Sequence, residues 1–417
     1  MRRIIVVLLC ALALALSVQT ARAQQVLTGS TGSNAHYRIV VPDHWNGDLV
    51  IWNHGLDLGE PRPVEDADLG PLAQLQLAEG FAVAASSYRL DGWATFETET
   101  DLKNLYDVFR RHFGVPARVI ITGGSLGGIV TIQAIEQGNL GNVVGGLSIC
   151  GVIAGSRNWE GALDIRLVYD AVCGQVPGAG IPGGAEGLPK DSTFAPLDLA
   201  LALNACFGTP LPAPLPTPPQ TLEQLGRLVK FLEVTQIPAN FIGTDMGYVT
   251  FAMSNLVHDP RKLAGKVGVG NEYVDYGDSL VNALIERVAA NPGAANRLGM
   301  FYTPTGDTRG AKIVSLHTDK DGLVVVENES EYAKRANPAD FTAAVVVEQT
   351  PTHCGLTGAE VAGAWESLRA WLDYGLQATP ASIQGTCTAV MPLFGGPCRI
   401  DPAFVIPDMD GRVRPRQ

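Results

Sequence analysis

Residues 121–128 read Ile-Thr-Gly-Gly-Ser-Leu-Gly-Gly, a glycine-rich segment whose one serine is Ser125. An apolar run at residues 119–121 leads into it, and a helix-like run at residues 126–137 follows it. A serine on a sharp turn between a buried strand and a helix is exposed at the end of the strand, where it can act as a nucleophile. The glycines suit such a turn, because its backbone is strained and the helix must pass close to the strand. A motif this short also occurs by chance, so the surrounding chain decides whether Ser125 is functional.

Strand-like and helix-like segments alternate through the first part of the chain. Short apolar runs, each suited to a buried strand, occupy residues 36–41, 48–52, 81–86, 119–121 and 143–149. Residues 101–112 carry apolar side chains at helical spacing, so we expect a helix with one buried face there. This alternation predicts an α/β fold, with a mostly parallel sheet that helices cover on both faces.

The alternation is interrupted by a long segment that is rich in glycine and proline and contains isolated helical patterns. It returns with strand-like runs at residues 311–316 and 343–347 and with an amphipathic helix at residues 359–374. We therefore predict an α/β core whose two parts flank a large cap insertion, a segment of the size of a domain. The predicted boundaries are residues 24–151 and 309–380 for the core, 152–308 for the cap and 381–417 for an irregular, disulfide-stapled C-terminal extension.

A serine hydroxyl needs a neighbouring base that accepts its proton and an acid that orients the base. The acid is expected in the loop after the first strand beyond the insertion, where the chain contains Asp319 and Asp321. We prefer Asp321, because it directly precedes a glycine in a D-G-x-V turn, the usual form of such a loop. Asp319 is the alternative.

The base is expected after the last predicted strand and just before the closing helix. His353 occupies that place and is the only histidine beyond residue 317. The order of Ser125, an aspartate and His353 along the chain is then the order of a hydrolase whose nucleophile follows a buried strand. His317 ends a predicted strand close to these residues and is a candidate supporting residue.

Such a site also needs two backbone N–H groups that stabilise the negative charge developing on the substrate oxygen. One donor is expected at Leu126, the residue directly after the nucleophile. The other is expected in the loop after the strand at residues 48–52, where His54 and Gly55 precede Leu56. We predict that Leu56 provides this second N–H group.

With these residues in place, the chain resembles a secreted serine hydrolase of the α/β-hydrolase superfamily, of the esterase or lipase kind. The residues that carry the resemblance are His54, Gly55, Gly123, Ser125, Gly127, Asp321 and His353. The resemblance implies an α/β-hydrolase fold, no cofactor, no metal, and acyl transfer to water through an acyl-enzyme. It leaves the substrate open, as a small-molecule or polymeric ester.

The dipeptide His353-Cys354 also resembles a feature of tannase and feruloyl-esterase-like enzymes. In those enzymes, cysteines adjoin both the catalytic serine and the catalytic histidine. In this chain Gly124 precedes Ser125, so the paired-cysteine pattern is broken. We therefore do not assign the chain to that family.

The first 23 residues have the layout of a signal peptide, with Arg2 and Arg3 before an apolar run and an A-x-A-like cleavage site at residues 21–23. This layout predicts a secreted or periplasmic protein that has no integral membrane segment after cleavage. Six cysteines follow the predicted cleavage site, and an even number in an exported protein predicts three disulfides.

Spacing alone does not determine how the six cysteines pair. The short loop between Cys387 and Cys398 is the preferred pair, and Cys173–Cys206 with Cys150–Cys354 is the preferred remainder. There is no C-x-x-C pair and no cluster of histidine and cysteine at ligand spacing along the sequence, so no metal site is predicted.

The chain has 30 basic and 42 acidic residues, a formal net charge of −12. This balance argues against binding nucleic acid or anionic membranes through bulk electrostatics. The predicted function is the hydrolysis of carboxylic esters. An exported serine peptidase or amidase of the same fold is the alternative, and a non-catalytic binding protein is a third possibility.

Overall fold

The structure, a computed structural model, describes residues 24–32 and 34–416. The predicted signal segment at residues 1–23 lies outside the described residues. Among the described helices, none is both long and apolar enough to cross a membrane.

The described strands form one eight-stranded sheet with the order β1-β2-β4-β3-β5-β6-β7-β8. The strands are β1 Gln24–Thr31, β2 Ala35–Pro42, β3 Leu49–Asn53, β4 Ala82–Ser86, β5 Val119–Gly124, β6 Val143–Ile149, β7 Lys312–Thr318 and β8 Phe341–Val346. Strands β3 to β8 are parallel to one another, whereas β2 pairs antiparallel with both β1 and β4. This order, with its antiparallel edge and the exchange of β3 and β4, is the α/β-hydrolase fold, and the predicted fold class is confirmed.

Helices cover the sheet and fill the long connection between β6 and β7. They are α1 Ala73–Ala78, α2 Thr98–Phe113, α3 Leu126–Gln137, α4 Arg157–Cys173, α5 Pro196–Phe207, α6 Leu222–Thr235, α7 Ile242–Gly247, α8 Met253–His258, α9 Ser279–Leu284, α10 Pro292–Met300, α11 Asn328–Ala333, α12 Gly358–Tyr374 and α13 Pro380–Phe394. A π-helical turn, Tyr248–Ala252, joins α7 to α8.

The buried faces of the core helices follow their apolar periodicity. In α2 the predicted stripe is buried, including Leu102, Leu105 and Phe109. In α12 Trp365 and Leu368 are fully buried against the opposite side of the sheet. Burying apolar side chains from both directions makes the sheet a rigid platform for the loops at its carboxyl ends.

The connection between β6 and β7 contains α4 to α10 and no strand among the described residues. The cap boundaries at residues 152 and 308 stay a prediction. Leu225, Leu228 and Leu232 recur at helical spacing in the sequence, which predicts that they form one buried face of a helix over residues 222–234. In α6 these leucines are only half-buried or exposed, and burial is centred on Phe231 and Val234 instead. Phe231 packs against the rings of Tyr169 in α4 and Phe207 in α5, so this side of α6 is the buried one.

The C-terminal segment differs from the irregular extension expected from its composition, because it begins with a 15-residue helix, α13. Thr379 caps this helix by accepting the Ser382 amide, and Pro380 starts it, as proline does well at a first helical position. The chain then turns back over the molecule, and residues 409–414 reach the insertion.

The three preferred disulfide pairs are confirmed: Cys150–Cys354, Cys173–Cys206 and Cys387–Cys398. The second pair joins the ends of α4 and α5, and the third joins α13 to the segment that follows it. The first pair connects the end of β6 to the loop before α12, and it lies beside the residues described next.

Candidate active site

Ser125 lies on the turn between β5 and α3. Its backbone has φ 54° and ψ −121°, a conformation that residues other than glycine rarely adopt. Its amide donates to the Ile149 carbonyl at 2.9 Å, and its carbonyl accepts from the Val152 amide at 3.2 Å. The end of β6 therefore holds this strained turn in place and directs the serine side chain away from the sheet.

Two glycines allow the turn to pack closely. A Cβ atom at Gly127 would lie 2.0 Å from the Asn53 carbonyl oxygen, and one at Gly123 would lie 2.1 Å from the Gly127 carbonyl oxygen. No side chain fits at such distances, because real Cβ atoms do not approach backbone atoms this closely. Close contact between α3, β5 and the end of β3 therefore requires glycine at residues 123 and 127, on either side of Ser125.

The structure brings Ser125, His353 and Asp321 into one hydrogen-bonded chain. Ser125 Oγ and His353 Nε2 are 2.9 Å apart, and His353 Nδ1 and Asp321 Oδ2 are 2.7 Å apart. When Nδ1 carries the proton, it donates a hydrogen bond to the Asp321 carboxylate. The other ring nitrogen, Nε2, can then accept a hydrogen bond from the serine hydroxyl. The geometry is therefore that of a nucleophile, a base and an acid that orients the base.

Asp321 is buried and firmly held. Its second oxygen, Oδ1, accepts the amides of Leu323 and Val324, both at 3.0 Å. Asp319, the alternative acid, instead accepts the Glu348 amide at 2.8 Å. Of the two aspartates in this loop, Asp321 is the one bonded to His353.

His317 lies behind Asp321 and is completely buried. Its Nδ1 donates to Glu329 Oε1 at 3.0 Å, its Nε2 donates to the Val324 carbonyl at 2.7 Å, and Asp321 Oδ2 is 3.9 Å from Nε2. Burial lowers the pKa of His317, but the hydrogen bond and charge of Glu329 outweigh it, so the pKa is raised overall. Because both ring nitrogens face acceptors, this environment favours the protonated ring, which lies beside the loop that carries Asp321.

The Cys150–Cys354 disulfide lies directly beside His353. It ties the histidine loop to the residue that follows β6, the strand that also holds the Ser125 turn. Among the described residues, the only group of at least three potential metal ligands within reach of one another consists of Cys150, His353 and Cys354. The two sulfurs of this group are bonded to each other, so they do not offer thiolate ligands.

The loop after β3 lies against the nucleophile. A Cβ atom at Gly55 would be 3.4 Å from the Ser125 Cβ. The neighbouring His54 stacks on Tyr88, with ring centroids 4.1 Å apart, and its Nδ1 donates to the Gly55 carbonyl at 2.7 Å. Burial lowers the pKa of His54, so the ring is neutral and acts as a support for this loop.

The two backbone amides predicted to stabilise an oxyanion have no competing acceptor. Within residues 24–32 and 34–416, no group accepts a hydrogen bond from the N–H of Leu56 or of Leu126. Both residues line the same cavity as Ser125 and His353. Two unpaired N–H groups beside a nucleophile are the arrangement that stabilises a tetrahedral intermediate.

This cavity has a volume of about 610 Å³ and a mainly apolar lining, in the range typical of small-molecule sites. Its walls combine the loops that carry Ser125 and His353 with the β6–β7 connection and the C-terminal segment. Asp245 of α7, with Arg412 and Arg414 of the C-terminal segment, also lines it. Sequence reasoning missed these three residues, because no local motif marks them and their elements meet only in the folded chain.

Comparison with known proteins gives structural similarity only. No protein-family model and no curated protein matches the sequence. The structure is similar to Candida antarctica lipase A in its closed state, at 11% identity and a TM-score of 0.44, over 94% of this chain and 83% of that chain. It is also similar to feruloyl esterase B from Aspergillus oryzae, at 11% identity and a TM-score of 0.42, over 85% and 82% of the two chains. For the rice cell wall degrading esterase LipA from Xanthomonas oryzae, the identity is 13%, the TM-score 0.41 and the coverage 82% and 88%.

Proposed function

We propose that this protein is a serine hydrolase that cleaves carboxylic esters. The observation that carries the proposal is the hydrogen-bonded chain from Ser125 through His353 to Asp321, at 2.9 and 2.7 Å. Its position in an apolar cavity beside two unpaired amides supports chemistry on a carbonyl group. The proposal needs no metal and no cofactor, because the three side chains supply nucleophile, base and acid.

In the first half of the reaction, Ser125 Oγ attacks the ester carbonyl carbon while its proton passes to His353 Nε2. The Leu56 and Leu126 amides donate to the resulting oxyanion. When the tetrahedral intermediate collapses, His353 gives the proton to the leaving alcohol and the acyl group stays on Ser125. Asp321 holds the ring in the required tautomer and stabilises its protonated form.

In the second half, water replaces the alcohol. His353 accepts a proton from the water as its oxygen attacks the acyl carbonyl, and the same two amides donate to the new oxyanion. Collapse of this intermediate returns the proton to Ser125 Oγ and releases the carboxylic acid. Atoms and charge balance over the cycle, and the enzyme is regenerated.

Replacement of Ser125 by alanine tests the proposal. Hydrolysis of short p-nitrophenyl esters should fall by roughly 10⁴- to 10⁶-fold, since the nucleophile is removed while the other groups stay. Ser30→Ala, at an exposed position of β1, is the matched control and should keep full activity. The native protein should also be labelled at Ser125 by a fluorophosphonate. Undiminished ester hydrolysis by Ser125→Ala would contradict the proposed function. Cleavage of amides but not of esters by the native protein would also contradict it.

Export to an oxidising compartment belongs to the same proposal. Three disulfides in one chain are typical of secreted or periplasmic proteins and rare in the reducing cytosol. The helices between β6 and β7 would then form a cap over the site, at residues 152–308. Their contribution to the cavity lining supports a role in substrate selection.

A further inference from the structure

The cavity contains a buried carboxyl group that lacks a partner. Asp245 is 2% exposed, and its buried Oδ2 accepts no hydrogen bond from any described residue. Leaving a buried polar group unpaired costs free energy, so such a group usually has a hydrogen-bond partner, which the protein, a water molecule or a ligand provides. Because Asp245 lines the cavity that contains Ser125, the missing partner is expected on a ligand.

An arginine from the opposite end of the chain lines the same cavity. Arg412 uses one nitrogen, Nη1, to donate to the Gln236 carbonyl. Within the described part of the chain, no carboxylate oxygen lies within 4.0 Å of its guanidinium and no group accepts from Nε or Nη2. The nearby Arg416, by contrast, is paired with Asp164 at 3.0 Å.

A second cavity arginine shows the same lack of an acidic partner. Arg414 donates to the Val234 carbonyl at 2.6 Å and stacks over the Tyr276 ring, but none of the described carboxylates pairs with it. The chain as a whole is acidic, with a net charge of −12, so carboxylates are plentiful elsewhere on it. Two arginines without acidic partners that line the same cavity are therefore suited to a negatively charged ligand.

We propose that Arg412 and Asp245 bind a carboxylate group of the substrate, so that the preferred esters carry one free carboxylate on the part of the molecule that occupies the cavity. This inference rests on the proposed ester hydrolysis and specifies its substrate class. The guanidinium donates N–H groups to the ligand carboxylate, and the protonated acid of Asp245 donates an O–H to it.

The protonation of Asp245 fits this role. Burial raises the pKa of Asp245 to about 8, although the charge of Arg412 acts to lower it and that of Asp321 adds to the increase. Near neutral pH the group is therefore mostly an uncharged acid, which does not repel a ligand carboxylate. The single positive charge of Arg412 beside an uncharged Asp245 is complementary to one ligand carboxylate. An ionised Asp245 would instead repel that carboxylate.

A matched pair of substrates tests the inference. Mono-p-nitrophenyl adipate carries a free carboxylate, and p-nitrophenyl hexanoate has an acyl chain of the same length without it. We expect native kcat/KM to be roughly 10- to 100-fold higher for the adipate, the range for hydrogen bonds to a charged group. The ratio should fall to near one in Arg412→Gln. Arg335→Gln, on an exposed arginine of the core, is the control and should leave the ratio unchanged.

A binding measurement gives a readout that does not depend on hydrolysis. Calorimetry on Ser125→Ala should show tighter binding of monomethyl adipate than of methyl hexanoate, and Arg412→Gln in the same background should remove the difference. A native ratio near one, or a preference that survives Arg412→Gln, overturns the inference while ester hydrolysis stands. Absence of hydrolysis with carboxylate-dependent binding intact would instead contradict the proposed function alone.

Discussion

At the scale of single residues, the site depends on glycines, because they allow the backbones of neighbouring segments to come into contact. The loop after β3 and the first turn of α3 touch at Gly127, where a Cβ atom would lie 2.0 Å from the Asn53 carbonyl oxygen. Backbone atoms of a buried strand cannot move aside as a flexible side chain can. The positions of Ser125 and of the Leu56 amide therefore both depend on the absence of a side chain at Gly127.

Gly127→Ala should consequently destabilise the fold by about 1 to 3 kcal/mol and abolish most activity, because the methyl group forces the two segments apart. Urea unfolding and ester hydrolysis measure the two effects. Gly226→Ala in α6 is the matched control, since nothing lies within 4 Å of its added Cβ. That change should preserve activity and raise stability slightly, by about 0.5 to 1 kcal/mol. Wild-type activity in Gly127→Ala would refute the close contact.

His317 supports the acid loop through a charge that depends on pH. Its pKa is raised in the folded state, because Glu329 outweighs the effect of burial. A raised pKa contributes stability that is fully present below the ordinary value of about 6.5 and is lost as the pH rises through the folded-state pKa.

His317→Gln should therefore destabilise the protein by about 1 to 3 kcal/mol at about pH 5.5 and by less at about pH 9. Urea unfolding of both proteins at the two pH values measures the difference. His44→Gln, at an exposed histidine, is the control and should show no comparable pH dependence. A loss of stability that grows with pH would show that His317 is not held as a cation.

At the scale of elements, a covalent link joins the histidine loop to the central sheet. The Cys150–Cys354 pair spans 204 residues and lies next to His353, whereas Cys387–Cys398 spans 11 residues in the C-terminal segment. A longer closed loop restricts the unfolded chain more, so the first disulfide should stabilise more than the second.

Replacing both Cys150 and Cys354 by alanine should cost about 2 to 5 kcal/mol and reduce kcat, because the loop that holds His353 loses its attachment to β6. Replacing Cys387 and Cys398 is the matched control, with a smaller loss of stability and near-native kcat. Thermal unfolding and steady-state kinetics distinguish the two pairs. Equal effects of both double variants on kcat would argue against a local role for the first disulfide.

At the scale of the whole molecule, the cavity is assembled from distant parts of the chain. The C-terminal segment buries Met409 and Val413 against Ala154, and Arg412 and Arg414 complete the cavity wall. Core loops, the β6–β7 connection and the tail thus meet at one place. The size and charge of the cavity depend on all three.

Ending the chain at residue 408 should lower stability by about 3 kcal/mol or more, since two buried apolar side chains and their contacts are removed. It should also raise KM for esters more than it lowers kcat, because Ser125, His353 and Asp321 stay in place. Removing Gln417 alone is the control. Unchanged KM and stability after the longer deletion would show that the tail is not part of the cavity wall.

Sequence alone predicted the α/β-hydrolase fold, every strand of the sheet except β1, the helices α2, α3 and α12, and the residues that the structure joins into the Ser125–His353–Asp321 chain. These depend on periodicity and on turns between neighbouring residues, which local patterns record. Helix α13 was missed because the glycine, proline and cysteine around it favour an irregular segment, although Thr379-Pro380 could have marked its start.

Only the tertiary structure decided which aspartate bonds to His353, how His317 is charged and which groups line the cavity. Asp319 and Asp321 lie in the same loop, and the packing of that loop against Glu348 and His353 determines their different partners. Asp245 and Arg412 belong to segments without local motifs, and their shared cavity exists only after long-range packing. The proposed reaction thus depends on residues that local patterns around Ser125, Asp321 and His353 indicate, whereas the proposed substrate class depends on contacts between distant segments, which no local pattern records.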